Sequence, residues 1–148
     1  MQLQDKIAVV TGAGRGIGQS MALGLAEAGA NIVVSDIDAA AVEDTAIAVK
    51  ALGRESLAVP ADMGNVDDID RMIGQAKDTF GRIDIMVNNA GITRYIYIMD
   101  VSEEDWDQIN RVNAKGTFFG MQRAAQEMIR QGTGGRIINI SSIAGKGY

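Results

Sequence analysis

Lys6-Ile-Ala-Val-Val10 runs directly into Thr11-Gly-Ala-Gly-Arg-Gly-Ile-Gly18, and the reading of this junction decides the fold. An unbroken apolar run of four residues, Ile7 to Val10, ended by a glycine-rich turn reads as a strand buried on both faces. Glycines at 12, 14, 16 and 18 let the backbone come close to a pyrophosphate. The free N–H groups and dipole of a helix that starts there favour its negative charge. The spacing is Thr-Gly-x-x-x-Gly-x-Gly through Gly12, Gly16 and Gly18, with Arg15 and Ile17 between them. The generic G-x-G-x-x-G pattern fails, at Ile17 when counted from Gly12 and at Gln19 when counted from Gly14. No Lys-Ser/Thr pair follows, which removes the nucleoside-triphosphatase loop. The plain alternative is a strand–helix turn that binds nothing.

Outward from this junction the same alternation repeats. Gly16 to Gly29 reads as a helix with Ile17, Met21, Leu25 and Ala28 on one face. Asn31–Asp36 is a second strand, and Ala39 to Gly53 a second helix ended by glycine. Glu55–Pro60 is a third strand, Asn65–Phe80 a third helix closed by Gly81, and Arg82–Asn88 a fourth strand. Ser102 to about Gln131 reads as one long fourth helix, and Arg136–Ser142 as a fifth strand. Strands this apolar, alternating with helices, call for a parallel sheet covered on both faces. Right-handed crossovers then predict a doubly wound α/β sheet, Rossmann-like, with strand order 3-2-1-4-5. No repeat, low-complexity tract or linker divides residues 1–148, so one domain is expected.

The composition removes much chemistry. With neither Cys nor His in 148 residues, there is no disulfide framework, thiol nucleophile, zinc finger or Ser-His-Asp triad. No metal site is expected. A net charge of −5 with no basic block argues against nucleic acid or an anionic membrane as partner. The apolar runs are too short to cross a bilayer, and Met1-Gln-Leu-Gln-Asp-Lys6 lacks the signal-peptide pattern, so a cytoplasmic location is expected. The reaction must use Ser, Tyr, Lys, Asn or a carboxylate, together with a cofactor.

Asp36 ends the second strand 18 residues after Gly18, where an acid can accept both ribose hydroxyls of an adenosine. A 2′-phosphate there would meet a carboxylate, and Ile37 offers no compensating charge, so NAD is favoured over NADP. Arg15 leaves a basic residue within reach of a 2′-phosphate. A solvated acid at a strand end is the bland reading of Asp36.

Asn88-Asn-Ala-Gly91 ends the fourth strand and Asn139-Ile-Ser-Ser142 the fifth. With Thr11-Gly-x-x-x-Gly-x-Gly18 and Asp62, these resemble the short-chain dehydrogenase/reductase family, from Lys6 to Gly145 and in register. The resemblance implies that Asp62 hydrogen-bonds the adenine amino group, with Met63 beside it. It implies that Asn89, Ala90 and Gly91 line the cofactor site. Asn113 resembles the active-site asparagine that holds a water in a proton relay, and Ser142, rather than Ser141, resembles the catalytic serine. The residues themselves place Asn113 four after Ile109 and three before Gly116, in an apolar stripe where a buried amide needs partners. A core asparagine that pins the helix and a serine that caps a turn are the bland readings.

Asn65-Val-Asp-Asp68 and Ser102-Glu-Glu-Asp105 read as helix caps with acids in the first turn, not as metal sites. Tyr95, Tyr97 and Met99 read as the border of a substrate cleft or as packing at a strand or dimer edge, and Trp106 as a helix anchor. The family's chemistry needs a Tyr-x-x-x-Lys pair, and none occurs: Tyr95 is followed four later by Met99, Tyr97 by Val101, and Tyr148 is the last residue. The resemblance therefore implies the N-terminal, cofactor-binding part of an NAD-dependent oxidoreductase, truncated after the fifth strand and inactive alone. Such an enzyme interconverts a small-molecule secondary alcohol and a ketone, and its relatives are homo-oligomers, tetramers or dimers. The alternative is a nucleotide-binding or regulatory module without turnover.

Overall fold

The computed structural model describes residues 2–143; the expectation attached to Tyr148 lies outside them. Five parallel strands form one sheet: β1 (Ile7–Thr11), β2 (Asn31–Asp36), β3 (Ser56–Pro60), β4 (Ile85–Asn88) and β5 (Arg136–Asn139). Their order is β3-β2-β1-β4-β5, the predicted doubly wound arrangement. The order reverses direction next to β1, which opens a crevice at the carboxyl ends of β1 and β4. Register follows from the apolar runs, with Val9 opposite Val33 on one side and Met86 on the other.

Alternation along each strand builds two cores. Val9, Val33 and Met86 pack under α3 (Val66–Phe80) and α5 (Thr117–Arg130) with Ile69, Met72 and Ala124. Val10, Ile32, Val34 and Val87 pack under α1 (Gly16–Glu27) and α2 (Ala39–Ala51) with Ala22, Val42 and Ala46. Each fully buried Val or Ile contributes about 1.5–3 kcal/mol by leaving water. β5 is the exception, with all four residues exposed.

Caps set the helix starts. Asp38 accepts from the N–H groups of Ala40 and Ala41 at α2, and Asn65 from Asp67 at α3. Ser102 and Asp105 form a reciprocal box at α4 (Glu103–Asn110). Gly81 stops α3 with φ 76°, a conformation natural to glycine.

Several expected boundaries are corrected. Helix α1 ends at Glu27 and buries Gly18, Ala22 and Ala26, leaving Ile17 70% exposed; close approach to the sheet selects the small residues, so the buried face is turned by one residue. Strand β3 begins one residue later than expected, at Ser56. Strand β4 starts at Ile85, because Ile83 is held from both sides by the Gln131 side-chain amide, and Asp84 by ion pairs. Strand β5 ends at Asn139, followed by one further link from the Ile140 N–H to the Asn88 carbonyl. The long fourth helix is two helices joined by a π-helical turn over Arg111–Gly116. Residues 92–97 form no strand, Tyr95 and Tyr97 stand in solvent, and Trp106 is exposed, not an anchor.

Candidate functional site

The glycine loop is shaped by close approach. Gly12 has φ 62°, and a Cβ there would lie 2.8 Å from the Ala90 Cα. At Gly18 a Cβ would run into the Gly12 carbonyl and the Asn89 amide. Helix α1 therefore begins tight against the loop. It opens after Arg15 with no side-chain cap, while α2, α3 and α4 each carry one. Its first N–H groups face the loop without a side-chain acceptor, the donor set a pyrophosphate would take.

Two networks hold this loop. From β4, Thr11 Oγ1 accepts from the N–H groups of Asn89 and Ala90, and Asn89 Nδ2 donates to the carbonyls of Thr11 (3.0 Å) and Gly12 (3.1 Å). From the other side the Gly14 peptide is gripped at both ends. Its N–H donates to Asp36 Oδ2 at 3.1 Å, and its carbonyl accepts from buried Thr45 Oγ1, which itself accepts from Gln19 Nε2. Sequence reasoning missed Thr45 and Gln19; a lone buried Thr in an Ala-rich helix was the available signal.

Nine of the predicted cofactor residues line one cleft of about 220 Å³. They are Gly12 and Arg15 from the loop, Asp36 and Ile37 after β2, Asp62 and Met63 after β3, and Asn89, Ala90 and Gly91 after β4. Ala61, Ile92 and Val112 also line it, and none of them was among the expected cofactor residues. Gly16, Ile17 and Gly18 stand outside its walls: Gly18 is buried beneath the loop, while Gly16 and Ile17 are exposed on the first turn of α1. Asp36 is half-buried and its Oδ1 accepts from the Asp38 N–H. Asp62 accepts from the Gly64 N–H at 2.7 Å and from Arg111 at 2.9 Å. The turn that carries Asp62 is steadied by Asp68, which accepts the Asp62 N–H; that hydrogen bond first, and Arg71 second, hold the Asp68 carboxyl below the usual range.

A second cleft adjoins the first and shares Asn89, Ala90 and Gly91 with it. Asn113, Thr117, Ile140, Ser141 and Ser142 complete its walls, so Asn113 and Ser142 come together across it. Asn113 is exposed, not buried in an apolar stripe, because the π turn carries it out of the helix face. Its amide is held at both ends: Nδ2 donates to the Ile92 carbonyl at 2.8 Å and Oδ1 accepts the Ile92 N–H at 2.9 Å, leaving one N–H and one lone pair over. Single π turns inside α-helices occur often at functional sites. Among the described residues there is no cluster of three His, Cys, Asp or Glu side chains able to hold a metal, and no helix long and apolar enough to cross a membrane.

A glycine loop under an uncapped helix, an acid at the end of β2 and a cleft over the switch point with a second beside it suit a dinucleotide. The comparisons with known proteins agree. The model of the short chain dehydrogenase family matches residues 6–148. The 2-dehydro-3-deoxy-D-gluconate 5-dehydrogenase of Escherichia coli is 47% identical over 141 residues, covering 95% of this chain and 55% of that protein. A 3-oxoacyl-[acyl-carrier-protein] reductase of Staphylococcus aureus is 42% identical, over 95% of this chain and 57% of its own. A crystal structure of NAD+-bound xylitol dehydrogenase superposes with a TM-score of 0.94 at 30% identity, covering 99% of this chain and 56% of that one. The chain thus spans little more than half the length of the relatives it matches. Sequence motifs, strand order and site geometry converge with these matches: the chain belongs to the short-chain dehydrogenase/reductase family.

Proposed function

We propose that this chain is the NAD(H)-binding part of an oxidoreductase that interconverts a secondary alcohol and a ketone. The observation that carries the reading is Asp36, half-buried at the end of β2, in the cleft wall and tied to the Gly14 N–H of the glycine loop. Its carboxylate keeps lone pairs for the two ribose hydroxyls and opposes a 2′-phosphate. Gly12, Gly16 and Gly18 admit the pyrophosphate, Arg15 and Ile17 flank it, and Ile37 borders the base. Asp62 receives the adenine amino group, with Met63 beside it. The bound nicotinamide supplies hydride exchange. Asn89, Ala90 and Gly91 shape the wall between the two clefts, Asn113 holds the loop at Ile92 and a water in the proton relay, and Ser142 hydrogen-bonds the substrate oxygen. Proton transfer calls for the family's tyrosine–lysine pair, which is not among these 148 residues, so turnover belongs to the whole protein.

The relatives' substrates differ, and what they share is a dehydrogenase or reductase reaction; a module without turnover is therefore not favoured. The reading includes a cytoplasmic homo-oligomer, dimer or tetramer, with no nucleic-acid or membrane partner, as a net charge of −5 supports. The test is a titration of Asp36→Asn and Asp36→Arg with NADH and NADPH. Asp36→Asn should weaken NADH by about ten- to a hundred-fold, the loss of charge-assisted hydrogen bonds. Asp36→Arg should shift the preference toward NADPH; an unchanged preference contradicts the ribose assignment.

A further inference from the structure

Asp62 has an anchor that the motifs do not account for. Its Oδ1 accepts the Gly64 N–H two residues on, a local tie that any acid in this turn can make. Its Oδ2 accepts from Arg111 Nη1 at 2.9 Å, across 49 residues of chain. Glu104 and Asp107 line the same surface hollow as Arg111, yet the guanidinium pairs with Asp62. Gly64 makes room for it: a Cβ there would sit 2.7 Å from Arg111 Nη1. The last torsion of an aspartate is soft, so one anchor leaves the carboxylate free to swing. Two anchors, one on each oxygen, fix its plane and leave one lone-pair direction on each oxygen for an outside donor.

Arg111 opens the π turn whose next residue, Val112, lines the dinucleotide cleft and whose third, Asn113, clamps Ile92. One short segment therefore holds two parts of the cleft wall, Asp62 and the loop after β4. We infer that Arg111 is a positioning residue for the cofactor: it holds the Asp62 carboxylate in the orientation that receives the adenine amino group. The inference rests on the nucleotide reading above. It assigns Arg111 no contact with the ligand, only with Asp62.

A double-variant cycle tests this, with ADP and NADH as probes and thermal melting as control. Arg111→Gln should weaken both ligands by about three- to ten-fold, with the melting temperature nearly unchanged because the pair is partly exposed. Arg111→Lys, which keeps the charge but not the planar fork, should recover part of the loss. Asp62→Asn should weaken ADP as well, and adding Arg111→Gln to it should cost nothing further, since Arg111 acts through Asp62. Equal ADP affinity for wild type and Arg111→Gln, or additive losses in the double variant, overturns the positioning role alone. A wild-type chain that binds neither ADP nor NADH overturns the nucleotide reading and this inference with it.

Discussion

Thr45 and Asn113 show how single side chains hold the site without standing in a motif. Thr45 is fully buried, donates to the Gly14 carbonyl and accepts from Gln19. Thr45→Val keeps the shape and strands both partners, so it should destabilise the fold by about 1–3 kcal/mol, read by denaturant melting; a change near zero would show that the Gly14 peptide needs no grip. Asn113 makes two bonds to the Ile92 backbone. In Asn113→Ala the Ile92 amide should exchange with solvent at least about tenfold faster, followed by NMR, while the global stability moves little. The resemblance pointed to Asn113, but its partner was not legible, because nothing local in sequence links residue 113 to a loop 21 positions earlier. Arg111 was invisible for the same reason.

At the scale of elements, apolar periodicity carried most of the fold. Every strand expected is present, as is every helix except that the fourth is split in two, and α3 starts at its cap and ends at its glycine as read. The misreadings have physical causes. The π turn at Arg111–Gly116 widens the helix by one residue, a change of hydrogen-bond partner that leaves no mark on residue type. Helix α1 turned its small residues inward, burying Gly18, Ala22 and Ala26, because close packing favours small side chains over larger apolar ones. Strand β4 began late because Asp84 serves as a tie. It is buried, accepts the Ile7 N–H at 3.0 Å, and pairs with Arg82 and Lys6. Burial opposes its charge, yet the Arg82 hydrogen bond, the Ile7 N–H and the two cations together hold its carboxyl below the usual range. With the folded-state value depressed, its stabilisation is complete above pH about 4 and is lost as pH falls through the folded value. Asp84→Asn should cost about 1–3 kcal/mol at pH 7, and the difference from wild type should close in acid melts; a difference independent of pH would contradict the tie.

Across the whole molecule, the buried and exposed surfaces divide the chain's tasks. The two cores lie where strands β1 to β4 meet the helices, whereas β5, Tyr95, Tyr97, Ile98 and Met99 present apolar surface to solvent. Both clefts open over the carboxyl ends of the strands, the first where the strand order reverses between β1 and β4, as an open α/β sheet dictates, and the second beside it after β4 and β5. The most direct test of the account is a fluorescence titration of the wild-type chain with NADH and with NADPH under identical conditions. Saturable NADH binding, at least about tenfold tighter than NADPH as a carboxylate facing a 2′-phosphate requires, is the predicted result. Equal or tighter binding of NADPH, or no binding of either, would contradict it.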